Sequence, residues 1–69
     1  MTATIPQALR AFGLNVRQRR EAAGLIQEKA GEKADLDPTY ISGIERGVRN
    51  PSLLSLVRLA KYKTPSLHA

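Results

Sequence analysis

The chain has no cysteine and no tryptophan. Without cysteine there is no disulfide staple and no thiolate metal site. Its one histidine, His68, stands alone close to the end of the sequence, so no metal centre is expected. Aromatic residues are scarce: Phe12, Tyr40 and Tyr62. Single-stranded nucleic acid is held by bases stacking on exposed rings, and three rings offer little of that. No apolar run approaches the ~20 residues needed to cross a bilayer. The N-terminus lacks a signal peptide's basic start, apolar run and small-residue cleavage site. The chain therefore reads as soluble and cytoplasmic, nucleoid-associated if it binds DNA, with no membrane partner. Acid is also in short supply, with six Asp/Glu against eleven Lys/Arg and a formal charge of +5. Such a surplus implies an acidic partner, nucleic acid ahead of an anionic membrane. Sixty-nine residues hold one domain at most, of modest stability. No carboxylate pair, nucleophile–base pair or phosphate loop stands out. An enzyme, a cofactor and a small-molecule ligand are not expected.

What is present is helical spacing, and no run alternates as a strand does. Residues 1–5 read as a disordered N-terminal tail, with Met1 to Thr4 frayed. A first helix is expected at about 6–22, with Pro6 in its first turn, an inner stripe of Leu9, Phe12, Gly13 and Val16, and Gly24 as its C-terminal stop. Arg10, Arg17 and Arg19 form its solvated face. A second helix covers about 27–34, with a thin apolar face of Ala30 and Ala34. Gly31 inside it costs roughly 1 kcal/mol relative to alanine, and Ile26 cannot cap it. Leu36 plugs the short turn that follows. A third helix, about 37–46, opens on Asp37 as N-cap and Pro38, turns Ile41 and Ile44 inward and stops at Gly47. Ser52 caps a fourth, which runs to about Tyr62 on an inner stripe of Leu53, Leu56, Val57 and Ala60, leaving Leu54 and Leu59 off it. The domain spans 6–62, and 63–69 is a short tail.

Two short helices joined by a tight turn, the second opening on small polar residues, match a helix-turn-helix. Its second helix enters the major groove and its N-terminal part meets base edges. The groove is about 12 Å wide and admits one helix if the exposed face is slim. Thr39, Ser42 and Gly43 keep that face slim, and the two hydroxyls can bond base edges. Arg46 at the helix end and Arg49 and Asn50 in the loop beyond are placed for flanking phosphates. Gln27 lies where free backbone N–H groups and the helix dipole favour another. Phosphate contacts supply salt-dependent affinity; base contacts choose the sequence.

The segment "GLIQEKAGEKADLDPTYISGIERGVRNPSLLSLVRLAK" resembles the Cro/cI-type helix-turn-helix family, also called lambda-repressor-like or XRE. "YISGIERG" with "RNPS" is especially similar to the restriction–modification controller proteins, a small dimeric branch. The resemblance covers about residues 9–61. It implies an all-α fold: a compact lambda-repressor-like bundle of four to five short helices with a central helix-turn-helix. It also implies a homodimer on double-stranded DNA operators near promoters. By position, Pro38, Thr39, Tyr40, Ser42 and Gly43 fall on base- or groove-facing sites, and Gln27, Arg46, Arg49 and Asn50 on backbone-contacting ones. Arg20 and Glu45 resemble a buried pair tying the first helix to the end of the third. Four departures stand out. Ile26 replaces the family's serine, Ala30 and Gly31 its core leucine and alanine, and Pro38 a long polar reader. Little of the last helix follows Lys61.

The implied function is a sequence-specific, double-stranded DNA-binding transcriptional regulator. The rival is an antitoxin or anti-repressor that uses the same fold to bind a protein, for which Leu54 and Leu59 offer a surface. Tyr40 reads either as a groove contact or as packing against the second helix. Ile26 is either a surface substitution or part of an apolar patch.

Overall fold

The structure is a computed structural model that describes residues 4–61. It contains four helices and, among the described residues, no strand: α1 (Ile5–Ala22), α2 (Gln27–Ala34), α3 (Pro38–Glu45) and α4 (Leu53–Leu59). Tyr62, His68 and the tail 63–69 lie outside the described residues, as do residues 1–3.

Local chemistry sets each boundary. Thr4, expected in a frayed tail, instead caps α1. Its Oγ1 accepts from Gln7 N at 3.1 Å, while Gln7 Oε1 accepts from Thr4 N at 3.0 Å. This reciprocal capping box satisfies two backbone donors and moves the helix start one residue ahead of Pro6. At the other end Gly24 adopts φ +74°, which lets Leu25 N reach Arg20 O at 3.1 Å and Gly24 N reach Glu21 O at 3.0 Å. α3 closes in the same way. Gly47 at φ +77° sends Gly47 N to Ile44 O at 3.0 Å and Val48 N to Gly43 O at 2.9 Å. α2 ends on Asp35 in the left-handed region, and Ile26 provides no side-chain cap at its start.

The core is small. Val16, Ala30, Ala34, Ile41, Ile44 and Leu59 are buried, with Phe12, Leu25, Leu36 and Tyr40 packed against them. α3 lies at its centre, packed on α1 and α2. Glycine sets how closely these helices approach. A Cβ on Gly13 would collide with the carbonyl oxygen of Ile44 and fall 2.7 Å from that of Glu45, so α1 crosses α3 backbone against backbone. A Cβ on Gly31 would lie 2.6 Å from Leu36 O and 3.3 Å from Pro38 Cγ. Gly31 is therefore what admits the turn between α2 and α3, not simply a weak point in a helix.

The fourth helix faces the core differently from its apolar pattern. Leu53 is 77% and Val57 60% exposed, and Leu56 and Ala60 are exposed as well, whereas Leu59 is 7% exposed and Ser55 is buried. The reason is polar. Ser52 Oγ caps α4 by accepting from Ser55 N at 3.1 Å, and Ser55 Oγ donates to the Tyr40 hydroxyl at 3.1 Å. This contact turns the Ser55–Leu59 edge inward, four residues apart on one face. Arg58 fastens the helix further by donating to Asp35 O at 3.2 Å.

Replacing a helical glycine by alanine ordinarily stabilises a helix. Gly31→Ala is expected to do the opposite here. Overpacking against Leu36 O should cost about 2 kcal/mol and lower Tm by roughly 10 °C in a domain of this size. Thermal unfolding followed by circular dichroism checks this; a raised Tm contradicts the tight turn.

Candidate nucleic-acid interface

α3 starts where Asp37 Oδ1 accepts from Thr39 N at 2.7 Å, with Pro38 as its first residue. Thr39, Ser42 and Arg46 stand at positions i, i+3 and i+7, hence on one side of the helix. Thr39 and Arg46 are exposed and Ser42 is half-buried. Pro38 is half-buried beside Gly31. Gly43 shares this side but is not open: it is buried, and the Arg49 side chain lies across it. The slim surface is thus formed by Thr39 and Ser42, bordered by Arg46, Arg49 and Asn50, all three exposed.

Behind this surface lies a polar clasp. Arg20 Nε donates to Glu45 Oε2 at 2.7 Å and Nη2 to Glu45 Oε1 at 3.0 Å, a two-pronged pair with side chains only 11% and 4% exposed. Arg20 Nη1 donates to Leu25 O at 2.8 Å. Gln27 completes the clasp, its Nε2 donating to Glu45 Oε1 at 3.1 Å. The amide expected at a phosphate is therefore engaged with the carboxylate that anchors α3. The spacing that placed Gln27 at the start of α2 was informative, but it could not reveal that Glu45 comes within reach there.

Tyr40 packs against the core cluster that holds Ala30 and Ala34 of α2, and it makes a further contact that neither expected role included. Its ring packs on the core and its hydroxyl points to α4, accepting from Ser55 Oγ at 3.1 Å and from Ser52 N at 3.4 Å. The hydrogen bond from Ser55 is the main cause that holds this phenol below its ordinary pKa, with smaller help from Ser52 and the Arg49 charge against partial burial. Ser52 caps α4 as expected, whereas Ser55, Asp35 and Arg58 had no structural role in the sequence reading. Ser55 had only its distance of four from Leu59 as a signal, and Arg58 had none.

An apolar hollow of about 300 Å³ lies between the start of α1 and α4, lined by Ile5, Ala8, Leu9, Phe12, Asn50, Pro51 and Leu56. Asn50 therefore borders both the arginine-rich rim and this hollow.

An all-α bundle with its central helix so clasped and so exposed is the architecture of a helix-turn-helix protein. A family model described as Helix-turn-helix matches residues 16–62, and the chain belongs to that family. It is 47% identical over 51 residues to control protein C.BamHI of Bacillus amyloliquefaciens, a match covering 72% of this chain and 63% of that protein. It is 42% identical over 50 residues to control protein C.MunI of a Mycoplasma species, covering 71% and 68%. The chain thus spans about two thirds of the length of these relatives. Among solved structures it is similar to the restriction–modification controller protein C.AhdI from Aeromonas hydrophila, with TM-score 0.75, 43% identity and coverage of 77% and 80%. It is also similar to the controller protein C.Esp1396I, with TM-score 0.74, 35% identity and coverage of 87% and 75%.

Truncating one member of a buried ion pair leaves the other charge uncompensated. Arg20→Ala is expected to lose about 3–5 kcal/mol, while replacing Arg20 and Glu45 together by apolar residues should cost less. Urea unfolding of the two variants measures this; equal losses contradict the clasp.

Proposed function

We propose that the chain is a sequence-specific, double-stranded DNA-binding transcriptional regulator, acting as a controller of restriction–modification genes. The observation that carries this reading is the side of α3 that presents exposed Thr39 and half-buried Ser42, bordered by exposed Arg46, Arg49 and Asn50. A helix with such short side chains fits the major groove, and cations at its end meet the phosphates beside it. The names of the similar proteins, control and controller proteins, support the regulatory role. The charge of +5 supplies attraction of the right sign.

Thr39 and Ser42 read bases, with Pro38 and Tyr40 framing them. Arg46, Arg49 and Asn50 hold the backbone. Gln27 acts one layer behind, through Glu45. Pro38 offers no side-chain donor, so sequence choice draws partly on DNA shape. The chain works in the cytoplasm as a homodimer, each α3 reading a half-site, with half-sites about one helical turn apart. The exposed Leu53, Leu54 and Val57 of α4 give a second copy an apolar face to cover. Among the described residues no helix is long and apolar enough to cross a membrane.

Selection of bound sites from a random duplex pool, with a footprint of one or two half-sites, tests this reading. On the selected duplex, Arg46→Ala should weaken binding to all sequences and reduce the salt slope by about one phosphate contact. Thr39→Ala should instead change base preference. Failure of the chain to bind any duplex at low salt refutes the proposal.

A further inference from the structure

Gly43 sits on the DNA-facing side of α3 yet is buried, and the residue that buries it is Arg49. The Arg49 Cγ occupies the space a Gly43 Cβ would need, with Arg49 Nε 3.4 Å and Cβ 3.5 Å from that point. The same glycine also fixes the loop backbone. Its carbonyl accepts from Val48 N at 2.9 Å and from Arg49 N at 3.2 Å. The chain turns back over Gly47 and lays the Arg49 stem against the helix it has just left.

We propose that Gly43 is a positioning residue, the seat that holds the Arg49 side chain along α3 so that its guanidinium meets the DNA backbone already oriented. The proposal rests on the DNA-binding reading above. An arginine free in solvent loses rotamer freedom when it docks. Seated on Gly43, Arg49 has given up much of that freedom in folding. Glycine is required because even a methyl group claims the position of Arg49 Cγ. The Arg49 backbone is held by its hydrogen bond to Gly43 O, so the side chain is the part that yields, by rotating about χ1 and carrying the guanidinium off its line.

A double-mutant cycle tests this with a duplex of mixed sequence, over a series of salt concentrations. Gly43→Ala should reduce affinity to the level of Arg49→Ala and lower the salt slope by about one unit. In the Arg49→Ala background, Gly43→Ala should change nothing further, because Arg49 Cβ lies at ordinary contact distance from the new methyl. Losses that add, or a Gly43→Ala variant that binds as the parent does, overturn the seat. A second measurement needs no DNA: a nuclear Overhauser contact between Gly43 Hα and Arg49 Hγ in the free protein. Its absence overturns the proposal whatever the binding data show. Presence of that contact in a chain that binds no duplex refutes the DNA-binding reading and the role built on it.

Discussion

Glu45, its side chain 4% exposed at the end of α3, receives two hydrogen bonds from Arg20 and one from Gln27, and Arg20 also holds the carbonyl of Leu25. One carboxylate thereby gathers α1, the turn after it, the first residue of α2 and the last of α3. In a large domain such a pair would be one restraint among many. Here, among the described residues, Ile41 and Ile44 are the largest side chains that are completely buried. Apolar burial alone leaves the orientation of a two-turn helix loosely specified, whereas the paired fork of an arginine on a carboxylate has a fixed geometry. The orientation of α3, and with it the direction in which Thr39 and Arg46 point, depends on this clasp.

The clasp forms only because the backbones approach closely. Gly13 lets α1 lie directly on the carbonyls of Ile44 and Glu45, and Gly31 lets Leu36 and Pro38 close the turn against α2. α3 is thus gripped on its inner side by glycine contacts and at its end by an ion pair, and its outer side carries the short side chains of Thr39 and Ser42 with the Arg49 stem laid across Gly43. The Tyr40 hydroxyl extends the grip to α4 through Ser52 and Ser55. A single eight-residue helix thus connects every element of the described fold and still presents a surface.

Much of this was legible in the sequence. The cap and stop of α3 follow from Asp37, Pro38 and Gly47, whose effects are local, and α2 covers the expected 27–34. The pairing of Arg20 with Glu45 came from resemblance alone, since no spacing rule joins residues 25 apart. The orientation of α4 was misread because serine counts as polar in a hydrophobic stripe. Ser55 turns inward for the sake of a hydroxyl 15 residues away. Gly43 was placed on the right side of α3 but read as open, because a glycine's neighbours leave no mark in its own chemistry. Thr4, expected in the tail, belongs to the capping signature Thr4-x-x-Gln7, which is legible in the sequence.

Two surfaces compete as the working face of the molecule: the Thr39–Ser42 side of α3 with its arginine rim, and the apolar outer side of α4. On the proposed function, nucleic acid meets the first. Chemical-shift mapping of the amide-labelled protein during titration with a duplex decides it. The largest changes are expected at Thr39, Ser42, Arg46, Arg49 and Asn50. Changes concentrated at Leu53, Leu54 and Val57, with α3 unmoved, would contradict it.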